Sequence, residues 1–523
     1  MIIGIDTGGT NVDAVLVDEH GIANAAKVPN TARRESIEAV LEELLAGRGA
    51  TQIDRVVVAT TLVVNAAVQD RLPDCSNVLV PGPGLSPERA FYGEENLVTA
   101  GGIDPRGRVT EPVSLADSVA YPVVAVTAKF SARNPDLERT LRDSIDADHV
   151  ALGSESGAGL TFPERAATTV ANAKAKPVFD EFLRDIEAAV ERAAIDAPVY
   201  YLKGDGAMLA ADSMAETPAH TLRGGSAASS LGLCALSGAS DAVTVDIGGT
   251  TTDVTRVVDG FPAIEGGIPE GKIEPGYDGV VAESLPVGGD TRVIPGDDGP
   301  ALADERVGDA VAFGGDEPTV TDALHVLGRF TAGDRSAARD AIDTVGDGSA
   351  SELATTVLDR FLQRVRATVT SISTDRTASL VVGGVLAPYL ADPLADGTHF
   401  DAVVPDHADV AGAVGCGVAR VSVETAVHAD SARGVMTVTS IGPETVESLE
   451  VGQRFTDTQA KDIAIERARA AAKAAGGDPT AAVDVRSFSR FTVVEDSEVV
   501  GQIFDAEAQV TPGIEFSFAE GSS

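Results

Sequence analysis

One frame of eight residues is written twice in this chain, Asp-x-Gly-Gly-Thr-x-x-Asp. The first copy lies in GIDTGGTNVDAVLVDEHG (Gly4 to Gly21), the second in TVDIGGTTTDVTRVVDG (Thr244 to Gly260). Asp6, Gly8, Gly9, Thr10 and Asp13 match Asp246, Gly248, Gly249, Thr250 and Asp253, each 240 residues later. An apolar run precedes each copy (Met1 to Ile5, Ala242 to Ile247) and another follows it (Ala14 to Val17, Val254 to Val258). Two apolar runs around a Gly-Gly-Thr turn predict a β-hairpin. Two such hairpins predict two related half-domains that close on one polyphosphate.

The chemistry of the frame supports that expectation. Glycines open turn conformations closed to other residues and let backbone N–H groups come close to a ligand. Successive N–H groups then form a concave anion site. The expected phosphate-binding set is Gly8, Gly9, Thr10, Asn11 and Asp13 in the first copy. Its counterpart is Gly248, Gly249, Thr250, Thr251 and Asp253. An aspartate beside a phosphate repels it unless a cation intervenes, which places Asp6 and Asp246 near Mg²⁺. Either could also orient a nucleophilic oxygen, and Asp246 is the preferred catalytic candidate. Asp13 and Asp253 have a second reading, as braces that bond backbone N–H groups of their own hairpins.

Composition limits the partners. There are 80 Asp and Glu against 40 Lys and Arg, a net charge of −40, and hydrophobic content is 44%. Only eight of the basic residues are lysines. A folded protein with an acidic, solvated skin fits these numbers, the pattern of a high-salt (halophilic) cytoplasm, whereas disorder does not. No basic patch is present, which argues against nucleic acid. No apolar run reaches the ~18 residues of a membrane span, and no signal peptide opens the chain. Cytoplasmic location is expected. Cys75, Cys234 and Cys416 are isolated and read as buried small residues. The seven histidines form no metal constellation.

Strands and helices alternate along the chain, as in α/β layers. Helices are expected at Ser36 to Gly47 with Ser36 as N-cap, Asp136 to Ile145, Pro177 to Ala194, Thr319 to Phe330 and Ser351 to Ile372. Residues 262–317 are rich in Gly, Pro and Asp and read as loop or insertion. Asp322 is a candidate cleft residue, against the commoner role of a solvated helix-face acid. The strand through Ala378 runs into Gly383-Gly384 and a short helix. From about Val423 the pattern changes to a small α+β unit with an alanine-rich helix, Thr458 to Gly477.

The two hairpins followed by Gly383-Gly384 resemble the phosphate 1, phosphate 2 and adenosine motifs of the actin/hexokinase/Hsp70-like ATPase superfamily. Further segments are similar to the hydantoinase A/oxoprolinase family, which includes N-methylhydantoinase A, 5-oxoprolinase and the acetone carboxylase β subunit. They are ATTLVVNAAVQDR (Ala59 to Arg71), SARNPDLERTL (Ser131 to Leu141), GLTFPERAATTVANAKAKP (Gly159 to Pro177), DIGGTTTDV (Asp246 to Val254), VGGDTRV (Val287 to Val293) and PTVTDALHVLGRF (Pro318 to Phe330). The resemblance implies two actin-like, ribonuclease-H-like lobes around a nucleotide cleft, in residues 1–195 and 196–422, with the insertion in the second and a C-terminal domain in 423–523. It implies ATP and Mg²⁺ as cofactors, with adenosine against Gly383 and Gly384. It implies ATP-dependent phosphorylation of an amide, lactam or ketone oxygen, a hydantoinase B-type partner subunit, and compatibility with a homo-oligomer.

The chain also departs from the family. Ala59 stands where the family has His, and Gly288-Gly289-Asp290-Thr291 replaces Gly-Gly-Gly-Ser. Arg223-Gly224-Gly225-Ser226-Ala227 replaces the Ser-Gly-Pro-Ala element, and a Pro- and Cys-rich stretch is reduced to Val307 to Pro318. These changes fall on the pocket more than on the ATP site. Two other functions share the expected lobe coupling: a small-molecule kinase, and a nucleotide-dependent switch or reactivase without chemistry of its own.

Overall fold

The repeated frame folds into two antiparallel hairpins set in two sheets of matching strand order. The computed structural model describes residues 1–47, 53–114, 118–157, 159–267, 269, 271–306, 308–440, 446–452 and 454–519. The stretch Val307 to Pro318, named above as altered, is described from residue 308 onward.

In the first sheet the order is Met208–Ala210, Val199–Leu202, Arg55–Thr60, Ile2–Thr7, Asn11–Asp18, Gly21–Pro29. The motif strand Ile2–Thr7 pairs antiparallel with its hairpin partner and parallel with Arg55–Thr60. The second sheet runs Asp401–Val403, Ser379–Gly383, Ala242–Ile247, Thr252–Val258, Phe261–Pro262. There too the motif strand is antiparallel to its hairpin partner and parallel to the next strand. Both motif strands are covered on both faces, which is why their sequences are continuous apolar runs rather than alternations. Ile37, Leu41 and Leu44 of the helix Arg33–Leu45 and Phe179, Phe182 and Ile186 of Phe162–Arg192 fill the core with the first sheet. The helix Ala350–Ile372, capped by Ser349 and Glu352, contributes to the core of the second lobe through Leu353, Val357, Phe361 and Val365.

Two helices of small residues, Gly224–Ser237 and Ala411–Val418, run through the middle. They cross at backbone contact. A Cβ on Gly232 would lie 1.8 Å from Ala411 O, and one on Gly415 1.8 Å from Ala228 O. Glycine at those two positions is what lets the helices pack so closely.

An additional parallel sheet, His149–Leu152, Val123–Ala128, Ser76–Val80, Glu95–Val98, is inserted after the first-lobe strand Arg55–Thr60. The C-terminal region is an antiparallel sheet in the order Val446–Glu450, Val435–Ser440, Glu424–Asp430, Glu498–Val510, Val483–Glu495. Its helix Asp457–Ala474 turns Ala460, Ala464 and Ala468 onto that sheet, a four-residue spacing that makes one helix face, and Ala472 on the same face joins the core of the first sheet. Among the described residues no helix is long and apolar enough to cross a membrane. The three cysteines are buried and free.

Several expectations need correction. The first helix starts at Arg33 rather than Ser36, whose hydroxyl donates to Pro29 O at 2.9 Å. The helix expected from Pro177 begins at Phe162, behind a Thr161–Glu164 capping box, and carries Pro177 inside it. Proline removes one ladder bond, and burial of alanines on the N-terminal half and phenylalanines on the C-terminal half keeps the helix going. Residues 262–317 are not mere loop. Ala282–Leu285 joins the second sheet beside Thr252–Val258, and Thr291–Ile294 pairs with Ala301–Arg306.

Candidate nucleotide cleft

Each motif strand is buried along its length except at one residue, Asp6 in the first and Asp246 in the second. The hairpin register sets Asp13 opposite Asp6 and Asp253 opposite Asp246. The turns close alike: Gly8 N–H donates to Asn11 O at 3.0 Å, and Gly248 N–H to Thr251 O at 3.0 Å. The tips then meet, with Thr10 Oγ1 and Thr250 Oγ1 3.3 Å apart. All ten motif residues are thereby gathered in one place.

The glycine pair joins them. Gly383 is the strand partner of Asp246. Gly384 turns the chain at φ 88°, and a Cβ there would sit 2.2 Å from Ile247 O. The turn glycines work differently from expectation. None of Gly8, Gly9, Gly248 or Gly249 has a positive φ. A Cβ on Gly9 would meet nothing within 4 Å, while one on Gly249 would meet Asp290 Oδ2 at 2.3 Å and Thr10 Oγ1 at 3.1 Å. Their value is close approach, not unusual dihedral angles.

The carbonyl side of each turn is fastened from behind. In the first copy Asn30 does it, its Nδ2 donating to Gly8 O and its N–H to Thr10 O, both at 2.8 Å. In the second copy a backbone loop does it. Gly289 N–H donates to Gly248 O at 3.0 Å and Asp290 N–H to Gly249 O at 2.8 Å. The altered segment Gly288–Thr291 thus fastens the second Gly-Gly-Thr turn, and it brings the Asp290 carboxylate beside Gly249.

The four motif aspartates sit in unequal surroundings. Lys27 Nζ lies 2.8 Å from Asp13 Oδ2, its cross-strand neighbour. Asp6 Oδ1 and Asp13 Oδ1 are buried and have no hydrogen-bond partner. Asp6 Oδ2 presses on the first turn of Ala411–Val418, where a Cβ on Gly412 would be 2.1 Å away. Burial pushes the Asp6 carboxyl well above its usual range, helped by the charges of Asp13 and Asp246 and opposed by Lys27. Burial likewise raises Asp13 to about 6, against the pull of Lys27. In the second copy Ser229 donates to Asp246 Oδ2 at 2.5 Å and Ser226 to Asp253 Oδ2 at 3.0 Å. Burial raises Asp246 too, with Ser229 opposing. The carboxylate of Asp13 thus bonds the Lys27 side chain and that of Asp253 the Ser226 hydroxyl.

An unpartnered carboxylate oxygen among like charges is a place for a cation. Among the described residues no three His, Cys, Asp or Glu side chains converge as a metal cage. A cation at Asp6 would take few protein oxygens and leave the rest to water or phosphate, which is the habit of Mg²⁺. The donor set fits that ion.

Asp322 is neither a cleft residue nor solvated. It is buried and accepts from the N–H groups of Val311, Ala312 and Thr319 and from the Thr319 hydroxyl, as the second half of a capping box. Residues missed in the sequence are Lys27, Asn30, Ser226, Ser229, Asp290 and Gly412. Lys27 had a signal, since a lysine in the strand after a hairpin can face an aspartate across it. Ser226 stood only in the altered Arg223–Ala227 element, and Ser229 carried no signal.

A model of the hydantoinase/oxoprolinase N-terminal region matches residues 2–148, and the hydantoinase/oxoprolinase model itself matches 165–425. The chain is 27% identical over 401 residues to a caprolactamase subunit alpha of Pseudomonas jessenii, covering 65% of this chain and 57% of that protein. An uncharacterized protein of Methanocaldococcus jannaschii is 24% identical over 389 residues, 63% of this chain and 56% of its own length. The chain therefore spans a little over half the length of these relatives. A nucleotide-free acetone carboxylase structure shares the fold at TM-score 0.71 and 16% identity, over 98% of this chain and 88% of that one. An ATP-dependent caprolactamase from Pseudomonas jessenii does so at TM-score 0.66 and 19% identity, over 97% and 87%.

Proposed function

We propose, from the premise that this chain belongs to the hydantoinase/oxoprolinase family, that it uses ATP and Mg²⁺ to activate the carbonyl of a cyclic amide or related compound for ring opening. The observation that carries the reading is the pairing of two matched Asp-Gly-Gly-Thr turns, tip to tip, around a carboxylate oxygen that lacks a partner. The names of a caprolactamase subunit relative and of ATP-dependent similar structures support the substrate class and a partner chain.

When bound, ATP with Mg²⁺ would supply the phosphoryl group that turns an amide oxygen into a leaving group. The chain's own part is positioning and charge. Backbone groups of Gly8, Gly9, Thr10 and Asn11, and of Gly248, Gly249, Thr250 and Thr251, would receive phosphate oxygens. Asp6 would hold the cation, with Asp13 beside it. Asp246, kept in one orientation by Ser229, would orient the attacking oxygen, and Asp253 would keep its hairpin in register with Ser226. Gly383 and Gly384 would admit the adenosine against the second sheet. Since the tips touch, the lobes would part to admit phosphates and close again over them, a hinge motion that excludes water.

The test is phosphate release from ATP with and without cyclic amides, and with and without a hydantoinase B-type chain. Stimulation by a cyclic amide is expected, with ring opening only when the partner is present. A phosphorylated product released without any partner would mark a kinase instead. Turnover raised only by a protein would mark a nucleotide switch.

A further inference from the structure

The inserted parallel sheet and the C-terminal sheet meet far from the motif residues in sequence, and polar contacts hold them together. Arg106 forks onto the buried Asp430 at 2.7 and 3.3 Å. Arg133 reaches Asp505 at 3.1 Å, and Thr439 donates to Ala132 O at 3.3 Å. Between the two sheets is a cavity of about 460 Å³. None of the hairpin residues or of the two crossing helices lines it.

We infer that this junction is a binding site for a small organic carboxylate with an apolar body. One wall is apolar, with Leu85, Phe130, Leu160 and Phe162. The opposite chemistry comes from Lys129 and His428. His428 is buried, and its Nδ1 lies 2.7 Å from Asp505 Oδ1, which fixes the ring through that nitrogen. Its Nε2 is buried without a hydrogen-bond partner. A buried polar atom left unpaired is destabilising, and a ligand oxygen at Nε2 removes that cost. With Nδ1 turned to Asp505, the protonated ring donates Nε2–H to an anionic oxygen and the neutral ring accepts an O–H there. Asp505 is itself anchored by Arg133, whose guanidinium lies over the Phe130 ring at 5.0 Å.

Lys129 completes the anionic end. Its ammonium makes one long bond, 3.3 Å to Pro83 O, and lies 5.1 Å from the Phe130 ring centroid. An ammonium has three donors, so it retains capacity for a carboxylate. Placing one of only eight lysines here, in a chain of net charge −40, gives the cavity a local character opposite to the surface around it. Glu507, also on the lining, is occupied by Ser487 at 2.8 Å. A lining that sets cationic side chains beside aromatic and aliphatic ones selects a charged head on an apolar body over either alone.

Calorimetric titration of the full chain with benzoate, benzyl alcohol and inorganic phosphate tests this. Saturable one-to-one binding of benzoate is expected, tighter than that of the other two. Lys129→Met and His428→Gln should each weaken it by roughly tenfold or more, the loss of one charge-assisted bond. Both variants should keep the ADP affinity of the parent, since neither residue touches the hairpins, and Lys129→Met should also keep its unfolding midpoint. Absence of saturable benzoate binding overturns the inference. So does tighter binding of phosphate, or unchanged benzoate affinity in a folded Lys129→Met variant.

Discussion

The two copies of the frame share a backbone and differ in what holds them. In both, the aspartates face each other across the hairpin and the turns close through the same 3.0 Å bond. The first copy pairs Asp13 with a charge, Lys27, and leaves buried oxygens of Asp6 and Asp13 unpartnered. The second copy gives Asp246 and Asp253 serine hydroxyls from the crossing helix Gly224–Ser237. The two hairpins match while their surroundings differ. A charged half that lacks a partner suits a cation. A half whose carboxylates are tied by neutral donors suits orientation, because a hydroxyl fixes a carboxylate without cancelling its charge.

The largest expected effect breaks both copies. Asp6→Ala and Asp246→Ala should each lower ATP turnover by about 10²–10³-fold, the scale of removing one preorganised electrostatic group. Phosphate release at saturating nucleotide measures it. Full turnover in Asp246→Ala would remove the second copy from the machinery. A separate experiment sharpens the division. Asp6→Asn should raise the stability of the nucleotide-free protein by about 1–3 kcal/mol, because it removes a buried charge that has no partner. Asp246→Asn should leave stability within about 1 kcal/mol, since the Ser229 bond can persist. Urea midpoints of the two variants decide it, and equal shifts would mean the copies are not divided in this way.

The same comparison explains what the sequence could reveal. The hairpins were legible because a Gly-Gly-Thr turn between apolar runs was written twice, and the helix Ala350–Ile372 because of its spacing, although its Ser349 cap lies ahead of the expected start at Ser351. The helix Gly224–Ser237 was not legible. Glycine and serine are poor helix formers, and only contact with Ala411–Val418 at Gly232 and Gly415 makes that composition favourable. The serines that distinguish the second copy were hidden with it. Asp322 was misread for a related reason: its role depends on Val311 and Ala312 approaching from a preceding segment. The run Ser76–Val80 is short, and burial of Ser76 and Asn77 gives no apolar alternation to read. Asn77 instead donates to Ala90 O at 2.7 Å.

A smaller effect distinguishes the two turns at one matched position. Gly9→Ala adds a Cβ to open space, so stability should stay within about 0.5 kcal/mol. Gly249→Ala drives a Cβ against Asp290 and Thr10, and should cost about 1–2 kcal/mol unless Asp290 swings aside. Both should weaken nucleotide binding, because on the proposed reading both methyls would stand where a phosphate approaches. Thermal midpoints with and without ADP separate the two effects. Equal stability loss in both variants would mean that the second turn is no more crowded than the first.

The smallest expected effect is a pH dependence that belongs to the first copy. The Asp13 carboxyl is raised from 3.8 to about 6, so the folded protein binds that proton more tightly than the unfolded chain does. Its contribution to stability is fully present below the unfolded value and is lost as pH rises through about 6. Stability of the nucleotide-free protein should therefore fall across that interval, by at most about 1.4 kcal/mol per pH unit for one proton. Asp13→Asn should flatten the fall in part, leaving the shares of Asp6 and Asp246 and of Glu155 and Glu424, which burial raises to about 7. Lys27→Met should extend it to higher pH, because the ammonium that opposes the shift is gone. Mg²⁺ with nucleotide should counteract the loss most at the upper end of the interval, where the carboxylates are charged and a cation has most to neutralise. Urea midpoints measured from about pH 4 to about pH 7 would show this. A flat profile that neither variant changes would mean that the first copy carries no excess charge, and the contrast between the two halves would then rest on their partners alone.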